Sequence, residues 1–510
     1  MWNMALPAGL VLGLALSVSS ADAADAPWSL GRGLYRGGGD AAVRVVLPGG
    51  VERPAQDFAC AGCHGATGVG SGEGSMRAPG ITWRILSQSS DGGGTRPHRP
   101  RYDPAALTAA VQDGIDPTGR PFVPAMPRYR AEDAVMSSLL AYLQVLGTAE
   151  DRDPGVQPDA LRIGTALPLT GARAEAGQAV RAVLERFFAT LNRDGGVYGR
   201  EIILRVADSS AAPAKSVFRD LISTQDLFAL LAPFDPNEGD ASDIVANSDG
   251  IPFIGPITLA PWAAVPSRAQ VYVLVPGLGD QARVLVDYLA EAEWPDGRHP
   301  RLAVMQSNGR VGQDALAGAE EQARLRGLST VTRLDPSTSM AAAAFQIREA
   351  AIDAVLCFTP PAQSAELALA LDRVGSEALL AISTQLLGDA ITGLPPRVRS
   401  RVVLADPLNE PNSLPIQDVG APGRGERRIA QAAAMVLTEA LRQGGRDITR
   451  AGLELALRRL PAVRTGVLPP LGFTGGRIGN RAIAVIRLEP ETGNVVTLAA
   501  ARPPADGARP

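Results

Sequence analysis

Two cysteines and a histidine stand close together in the stretch "DFACAGCHGATG". They are Cys60, Cys63 and His64, in a chain of 510 residues that has three cysteines and three histidines in all. Two thiols at this spacing can form thioethers to the vinyl groups of one haem, and the adjacent imidazole then lies under the iron. The C-x-x-C-H pattern therefore predicts one covalently attached haem c, with His64 as an axial ligand of its iron.

Two other chemistries also use paired cysteines. A zinc ribbon needs a second Cys or His pair, which the remaining Cys357, His98 and His299 do not supply. A thioredoxin-type redox pair needs a strand-to-helix context, which the surrounding sequence does not indicate. Haem attachment is the favoured interpretation, and Cys357, in the apolar run "DAVLCF", is predicted to be a buried free thiol.

The second axial ligand has to come from further along the chain. Met126, in "PFVPAMPRYR", has a proline on each side, and prolines hold a loop extended so that it can present a thioether to the iron. Met76, His98 and an open iron site remain as alternatives. Met136 lies inside a predicted amphipathic helix and is more typical of a core residue.

Two predicted helices frame this region. The segment "DPAALTAAVQDG" begins with Asp103 as N-cap and Pro104 at the first helical position, and "AEDAVMSSLLAYLQVLG" carries Glu132 and Asp133 in its first turn. The apolar residues of the second helix form one stripe that we expect to be buried: Val135, Leu139, Tyr142, Leu143 and Leu146.

The domain boundaries follow from composition. Residues 1–24 contain an apolar run followed by small residues, which is typical of a secretory signal peptide and predicts a periplasmic protein. A first domain is predicted over 25–147. Residues 148–160 carry two prolines and no apolar periodicity, which indicates a linker. The second domain is predicted over 161–505.

Composition excludes two classes of partner. The net charge is −4 and 20% of residues are charged, as in ordinary soluble globular proteins. No local basic excess points to nucleic acid. No run after the signal peptide is long enough to span a bilayer, so we expect no stable membrane span once the signal is cleaved.

The second domain alternates strand-like and helix-like segments. The strand-like runs include "LRIGTALPL", "EIILRVAD", "LFALLAP", "GIPFIGP", "RLAVMQS", "AIDAVLCF", "ALLAIST" and "RVVLAD". Such alternation predicts parallel sheets covered by helices. A region of this length exceeds one compact lobe, so two α/β lobes are expected.

Residues 27–147 resemble class I c-type cytochromes in three stretches, "CAGCHG", "PAMPRYR" and "AYLQVLG". The resemblance implies a small all-α domain in which the two cysteines hold the haem, the histidine and Met126 ligate the iron, and Tyr142 or Leu143 packs near the ring. A His/Met ligand pair suits electron transfer.

From Leu161 onward the chain resembles periplasmic ligand-binding proteins of the branched-chain amino-acid (Leu/Ile/Val) type, type I. The order and spacing of "IGTALPLTG", "LNRDGGVYGREIILRVADS" and "YVLVPGLGDQARVLVDYL" carry this resemblance. It implies two lobes joined by hinge strands, with ligand in the cleft where strand ends converge. The candidate ligand contacts are Thr170, Asp235, Asn237, Thr258 and Gln281.

One loop departs from that family's usual pattern. It reads "FDPNEGD" here, with Pro236 where the family usually has serine, and proline offers neither a hydroxyl nor an N–H. Asp235 and Glu238 would repel a carboxylate. We therefore expect a neutral or cationic ligand rather than leucine, isoleucine or valine. The alternative is that the domain has lost its ligand and serves as a scaffold.

The sequence leads to two functional hypotheses. The first is a periplasmic haem c electron-transfer protein with a small-molecule-binding domain, whose redox partner is a dehydrogenase or another cytochrome. The alternative is a substrate-binding receptor of an ABC-type transporter in which the haem is accessory. An enzyme is not expected, because no Ser/His/Asp set, metal cluster or nucleotide-binding loop is visible.

Overall fold

The chain divides into two compact units, Met1–Arg152 and Asp153–Pro510. The predicted signal peptide, 1–24, lies outside the residues that the structure describes. In the described part of the chain no helix is both long and apolar enough to cross a membrane. The computed structural model describes residues 27–37, 43–73, 76–90, 98–148, 150–234, 250–259, 270–387, 389–409, 421 and 423–505.

The first unit combines short helices with very short strands. Its helices are α1 (Ser29–Arg36), α2 (Cys60–His64), α3 (Trp83–Leu86), α4 (Pro104–Gln112) and α5 (Asp133–Val145). Its strands are β1 (Arg44–Val46), β2 (Glu52–Pro54), β3 (Ser71–Glu73), β4 (Met76–Ala78) and β5 (Arg128–Arg130). They form an antiparallel sheet in the order β2-β1-β5 and a β3-β4 pair. The all-α expectation is wrong in this respect, because strands of three residues carry no periodic pattern that a sequence can reveal.

The two predicted helices are present. The Asp103 carboxylate accepts a hydrogen bond of 2.8 Å from the Ala106 amide, as the N-cap of α4 should. The predicted stripe of α5 faces the core, with Tyr142 fully buried. Met136 is 3% exposed, which confirms it as a core residue.

Helices α1 and α5 cross at a glycine. The Gly31 amide donates to Ser138 Oγ at 2.9 Å, and a Cβ at position 31 would lie 2.3 Å from the Ser138 carbonyl oxygen. Only glycine allows this close approach. The crossing also brings Tyr35 against Tyr142, with ring centroids 5.4 Å apart. The Tyr35 hydroxyl donates to the Gly65 carbonyl at 2.7 Å, so the crossing supports the residue that directly follows the C-x-x-C-H helix.

The second unit contains two sheets, one in each lobe, with mostly parallel strands. The helices are α6 (Ala174–Arg193), α7 (Ala214–Thr224), α8 (Leu278–Glu291), α9 (Arg310–Leu325), α10 (Met340–Glu349), α11 (Pro361–Arg373), α12 (Asp389–Thr392), α13 (Pro396–Arg399), α14 (Arg424–Gly444) and α15 (Arg450–Arg459). The strands are β6 (Ala160–Leu167), β7 (Glu201–Asp208), β8 (Ala229–Leu231), β9 (Phe253–Ile254), β10 (Val271–Tyr272), β11 (Leu302–Gln306), β12 (Thr332–Arg333), β13 (Ala354–Phe358), β14 (Leu379–Ser383), β15 (Val402–Asp406), β16 (Ile483–Leu488) and β17 (Val495–Arg502).

The first lobe is built on a sheet in the order β10-β9-β8-β6-β7, and the second on a sheet in the order β12-β11-β13-β14-β15-β16-β17. Pairing is parallel throughout the first sheet and as far as β15 in the second. Strands β16 and β17 are added antiparallel. The predicted two-lobed α/β architecture is confirmed, and the antiparallel edge was not predicted.

Helices cover both faces of the second sheet. Alternate residues of β13 belong to different apolar clusters, with Val355 and Cys357 in one and Ala354 and Leu356 in the other. Such alternation is expected for a strand buried on both sides. Cys357 is a fully buried free thiol, as predicted.

The lobes are joined in part by two adjacent chain segments that run side by side. The Val273 amide donates to the Arg477 carbonyl at 2.8 Å, and the Gly479 amide donates back to the Val273 carbonyl at 2.8 Å. Paired segments of this kind allow two lobes to rotate about a hinge without losing their own sheets.

Candidate functional site

The residues of the C-x-x-C-H motif lie on one short helix, α2. Cys60 is partly buried, Cys63 is exposed and His64 is 8% exposed. Burial raises the pKa of the Cys60 thiol to about 11, although the hydrogen bond to Tyr129 acts in the opposite direction. The thiol donates to the Tyr129 hydroxyl at 3.7 Å. The motif thus presents one sheltered and one accessible thiol beside a buried imidazole.

The His64 ring has a defined orientation. Its Nδ1 atom lies 2.9 Å from the Pro79 carbonyl oxygen. A carbonyl oxygen can only accept, so Nδ1 must carry the proton, and Nε2 of the neutral ring keeps its lone pair. Histidines that ligate metals usually donate their other ring N–H to such an oxygen, which fixes both tautomer and ring orientation.

A cavity of about 1070 Å³ adjoins this hydrogen bond, because Pro79 also lines it. Binding sites for organic ligands typically measure about 300–1,000 Å³. The apolar side chains of its wall are Val69, Ile81, Ile85, Leu86, Tyr102 and Phe122. Its cationic side chains are Arg77, Arg99 and Arg120.

These features fit a haem. The motif offers two thiols and an imidazole with a free nitrogen, and the cavity next to it has apolar walls that suit a flat macrocycle. The side chains of the motif are not among the residues that line this cavity, and one of its arginines, Arg120, already pairs with Asp116 of the same wall at 2.9 Å. Tyr102 is held in that wall by Arg99, whose guanidinium carbon lies 4.9 Å from the ring centroid. Nothing in the sequence pointed to Pro79, because its contribution is a backbone carbonyl that any residue could supply.

Three residues are the candidates for the second axial ligand. Met126 is partly buried in the loop before β5, with its amide donating to the Val123 carbonyl at 3.1 Å. His98 is exposed, and its carbonyl accepts from Arg120 at 2.9 Å. The side chain of Met76 lies outside the described residues. The choice among these three residues stays a prediction.

In the second unit, three strand ends meet at the carboxyl edge of the first lobe. The Phe234 amide donates to the Ala166 carbonyl at 2.8 Å, and Phe234 pairs with Ile257 in a parallel bridge. The chain order reverses between β6 and β8, which is where ligands bind in open α/β sheets. Thr258 directly follows Ile257 at this edge and is partly buried. Asp235 and Asn237 lie outside the described residues.

Thr170, the other candidate of this lobe, lies exposed after β6 and is engaged by a carboxylate. Its hydroxyl donates to Asp208 at the end of β7, at 2.9 Å. Desolvation by burial would raise the pKa of Asp208, but hydrogen bonds from the Ser210 and Leu169 amides and from Thr170 lower it. The hydroxyl proton of Thr170 is therefore committed to Asp208, and Thr170 can offer a ligand only its oxygen lone pairs.

Gln281 lies in the second lobe, on the first turn of α8. It is fully buried, and its Nε2 donates to the Pro276 carbonyl at 3.1 Å and to Gln385 Oε1 at 2.7 Å. Gln385 follows β14 at the carboxyl edge of this sheet. Within the described residues, Gln281 Oε1 has no hydrogen-bond partner. Sequence reasoning selected Gln281 but missed Gln385, which only the fold brings beside it.

Three carboxylates belong to or contact residues next to this amide pair. Asp314 accepts from the Gly279 amide at 2.9 Å, and desolvation by burial raises its pKa. The Asp280 Oδ1 atom lies 3.8 Å from Nη2 of Arg481, so these two side chains form an ion pair. The buried Asp406 accepts from the Thr384 hydroxyl at 3.4 Å, next to Gln385. The edge thus offers amide groups and carboxylates that already have partners.

Comparison with known proteins bears on the second unit. A family model described as "Periplasmic binding protein" matches residues 160–418. A curated relative, the Leu/Ile/Val-binding protein homolog 3 of Brucella melitensis, is 24% identical over 180 residues, or 35% of this chain and 47% of the relative. The match spans about half the length of that relative.

Solved structures share the fold at low sequence identity. A substrate-binding protein of an ABC transporter from Aeropyrum pernix has a TM-score of 0.55 at 16% identity, covering 69% of this chain and 97% of its own. A fatty acid ABC transporter substrate-binding protein from Thermomonospora curvata has a TM-score of 0.52 at 20% identity, and the match covers 70% of this chain and 95% of that protein. An ABC transporter substrate-binding protein from Desulfitobacterium hafniense, in complex with Leu, has a TM-score of 0.51 at 19% identity, and the match covers 66% of this chain and 99% of that protein. These similarities establish the fold alone.

Proposed function

Because the chain belongs to the periplasmic binding protein family, we propose that it is an extracytoplasmic receptor that captures a small molecule in the cleft of its second unit. The observation that carries this proposal is the pair of carboxyl-edge sites, one in each lobe. The first lobe brings Phe234 and Ile257 together at the point where its strand order reverses. The second lobe sets Gln281 against Gln385. A carboxyl-edge site in each lobe and a hinge between the lobes suit capture by closure.

The receptor delivers its solute to a transporter of the ABC type in the periplasmic space. This part of the proposal is supported by the named functions of the similar structures, which are substrate-binding proteins of such transporters. The assigned activity is binding rather than catalysis, in keeping with the family. The family match favours the receptor interpretation over the electron-carrier interpretation, because it concerns the unit that would hold a solute.

A direct binding measurement tests the receptor proposal. Protein purified from its native host is denatured, and the released small molecules are identified by mass spectrometry. The refolded, ligand-free chain is then titrated with the compounds found, using calorimetry and melting temperature. We expect a dissociation constant in the micromolar range or tighter for one of them. A chain that carries nothing when purified and binds nothing when titrated would remove this proposal.

A second proposed function concerns the first unit, which we infer to carry one haem c for electron transfer to a periplasmic dehydrogenase or another cytochrome. The observation that favours it is the His64–Pro79 hydrogen bond of 2.9 Å, which leaves Nε2 free to ligate iron on the same short helix that carries the two motif thiols. Such a haem supplies one-electron redox chemistry when bound. The protein's part is to hold it by Cys60 and Cys63, to ligate it by His64 and Met126, and to shelter it from water.

The haem proposal has a matched control within the chain. Replacing Cys60 and Cys63 together by alanine should abolish the haem absorbance that survives denaturation, together with the mass increase of one haem. Cys357→Ala should leave both unchanged, because that thiol is buried in β13 of the second unit. Wild-type protein that releases all its haem into acidified organic solvent would refute covalent attachment.

A further inference from the structure

We propose that Arg128 and Tyr129 are positioning residues of the haem site, which together fix the Met126 loop, residues 121–127, relative to the C-x-x-C-H helix. This inference rests on the proposed haem function and adds two residues to which the sequence motifs assign no role. Both lie on β5, the strand that directly follows the loop. Adjacent side chains of a strand point to opposite faces, so one residue of β5 can hold the loop while the next holds the motif.

Tyr129 connects β5 to the start of the motif. It is 4% exposed, its hydroxyl donates to the Phe58 carbonyl, and the Cys60 thiol donates to the same hydroxyl at 3.7 Å. In the haem-attached form the Cys60 S–H has added across a vinyl group, with the sulfur on one carbon and the hydrogen on the other, so the thiol no longer donates. The bond from Tyr129 to Phe58 does not involve that hydrogen. It therefore ties β5 to the motif both before and after attachment.

Arg128 holds the loop itself. Its Nη1 donates to the Met126 carbonyl, and its Nη2 donates to the Phe122 carbonyl at 3.5 Å. A hydrogen bond from a guanidinium is charge-assisted and stronger than one between neutral groups. The guanidinium also packs directly on the backbone of Gly114, because a Cβ there would lie 1.8 Å from its Cζ atom. Arg128 thus folds both ends of the loop back onto β5.

The loop is folded by bonds within the chain itself. The Met126 amide closes a turn onto the Val123 carbonyl at 3.1 Å, and Phe122 of the same loop lines the cavity next to the motif. Strand β5 is in turn fixed by antiparallel pairing with β1, in which Tyr129 lies opposite Val45. The turn that carries Met126 is therefore preformed, and a preformed ligand loses less conformational entropy when it binds.

The consequence for the haem is a second axial position that stays closed to other ligands. Groups that hold a metal ligand in place commonly matter nearly as much as the ligand. If either residue of β5 is lost, the loop should open more often. A small ligand that reaches the iron only while the loop is open then binds with an apparent affinity that rises with the open fraction.

Imidazole titration of the oxidised full-length protein tests this inference, with loss of the sulfur-to-iron band as the signal. Tyr129→Phe, which removes the hydroxyl and keeps the ring, should raise the apparent imidazole affinity about three- to tenfold, because one buried hydrogen bond is lost. Arg128→Met keeps the aliphatic stem and removes both guanidinium bonds, so it should raise that affinity about tenfold or more. Arg128→Met carries the test alone if Tyr129→Phe does not fold.

Two controls separate positioning from general loosening. Arg130→Met makes the same change at an exposed residue of β5 and should leave the imidazole affinity within about twofold. Gly31→Ala destabilises the first unit at the crossing of α1 and α5, where the contacts of the new Cβ are with Ser138 and Leu139. It should leave the affinity within the same limit, although the first unit is less stable.

The outcomes separate this inference from the haem proposal. An imidazole affinity that neither Tyr129→Phe nor Arg128→Met changes, or that Gly31→Ala raises equally, overturns the positioning role and leaves the haem proposal standing. Wild-type protein with covalent haem but without the sulfur-to-iron band overturns this inference together with Met126 as the ligand. Wild-type protein without covalent haem overturns both proposals.

Discussion

The crossing of α1 and α5 gives the sharpest stability prediction. In Gly31→Ala the new Cβ would lie 2.3 Å from the Ser138 carbonyl oxygen, roughly 1 Å short of an ordinary contact. Such overpacking costs about 1–3 kcal/mol. The buried bond from the Gly31 amide to Ser138 Oγ would add about 1 kcal/mol if it broke. Alanine returns about 1 kcal/mol through its higher helix propensity, so the net loss is about 1–3 kcal/mol.

Hydrogen exchange measured by mass spectrometry can assign this loss to the first unit. Opening of α5 should become about 5- to 150-fold more frequent in Gly31→Ala, while peptides of the second unit keep their protection. The control is Gly62→Ala, because no atom lies within 4 Å of a Cβ built at position 62 of α2. Equal protection of α5 in Gly31→Ala and the wild type would show that the helices do not meet as closely as described here.

Three other predictions follow from named contacts. Met126→Ala should remove the weak sulfur-to-iron band of the ferric spectrum and lower the reduction potential, since a thioether favours ferrous iron, whereas the reverse pattern in Met76→Ala would move the ligand to that residue. Because the pKa of Asp208 is lowered in the folded protein, its ionised form stabilises the fold at any pH above its pKa in the unfolded chain, about 3.9. The difference in unfolding free energy between wild type and Asp208→Asn should therefore be present at pH 6 and shrink as the pH falls below about 4. A difference that does not depend on pH would contradict this. Asp287→Ala should lower the free energy of unfolding in urea by about 3 kcal/mol, because Arg326 Nε lies 2.5 Å from the fully buried Asp287 carboxylate in the wild type and would lose this partner. A decrease below about 1 kcal/mol would argue against this ion pair.

The fold of the second unit could be predicted from the sequence because its strands are buried on both faces. Such strands appear in the sequence as short apolar runs between helical segments, and the run "AIDAVLCF" predicted the strand β13 on this basis. The antiparallel strands β16 and β17 were missed. Their residues are also apolar, and a strand's direction depends on the path of the connecting chain rather than on its own composition.

In the first unit the chemistry was easier to predict than the architecture. The spacing of Cys60, Cys63 and His64 is fixed by covalent chemistry, so it is legible without any knowledge of the fold. The crossing at Gly31 gave no such signal, because a glycine in a helix has several common explanations. It became informative only when Ser138, 107 residues away in the chain, was found against it.

The buried amide pair of the second lobe illustrates the same limit. Gln281 could be selected from sequence as a polar residue at the start of a helix, yet its chemical role depends on Gln385, 104 residues further along the chain. The carbonyl of Pro276 and the partner's oxygen fix the orientation of the Gln281 amide, because both accept from its nitrogen. A glutamine in a sequence always carries both. The hydrogen-bonding role of Gln281 is therefore a property of the folded pair, and neither residue could have indicated it alone.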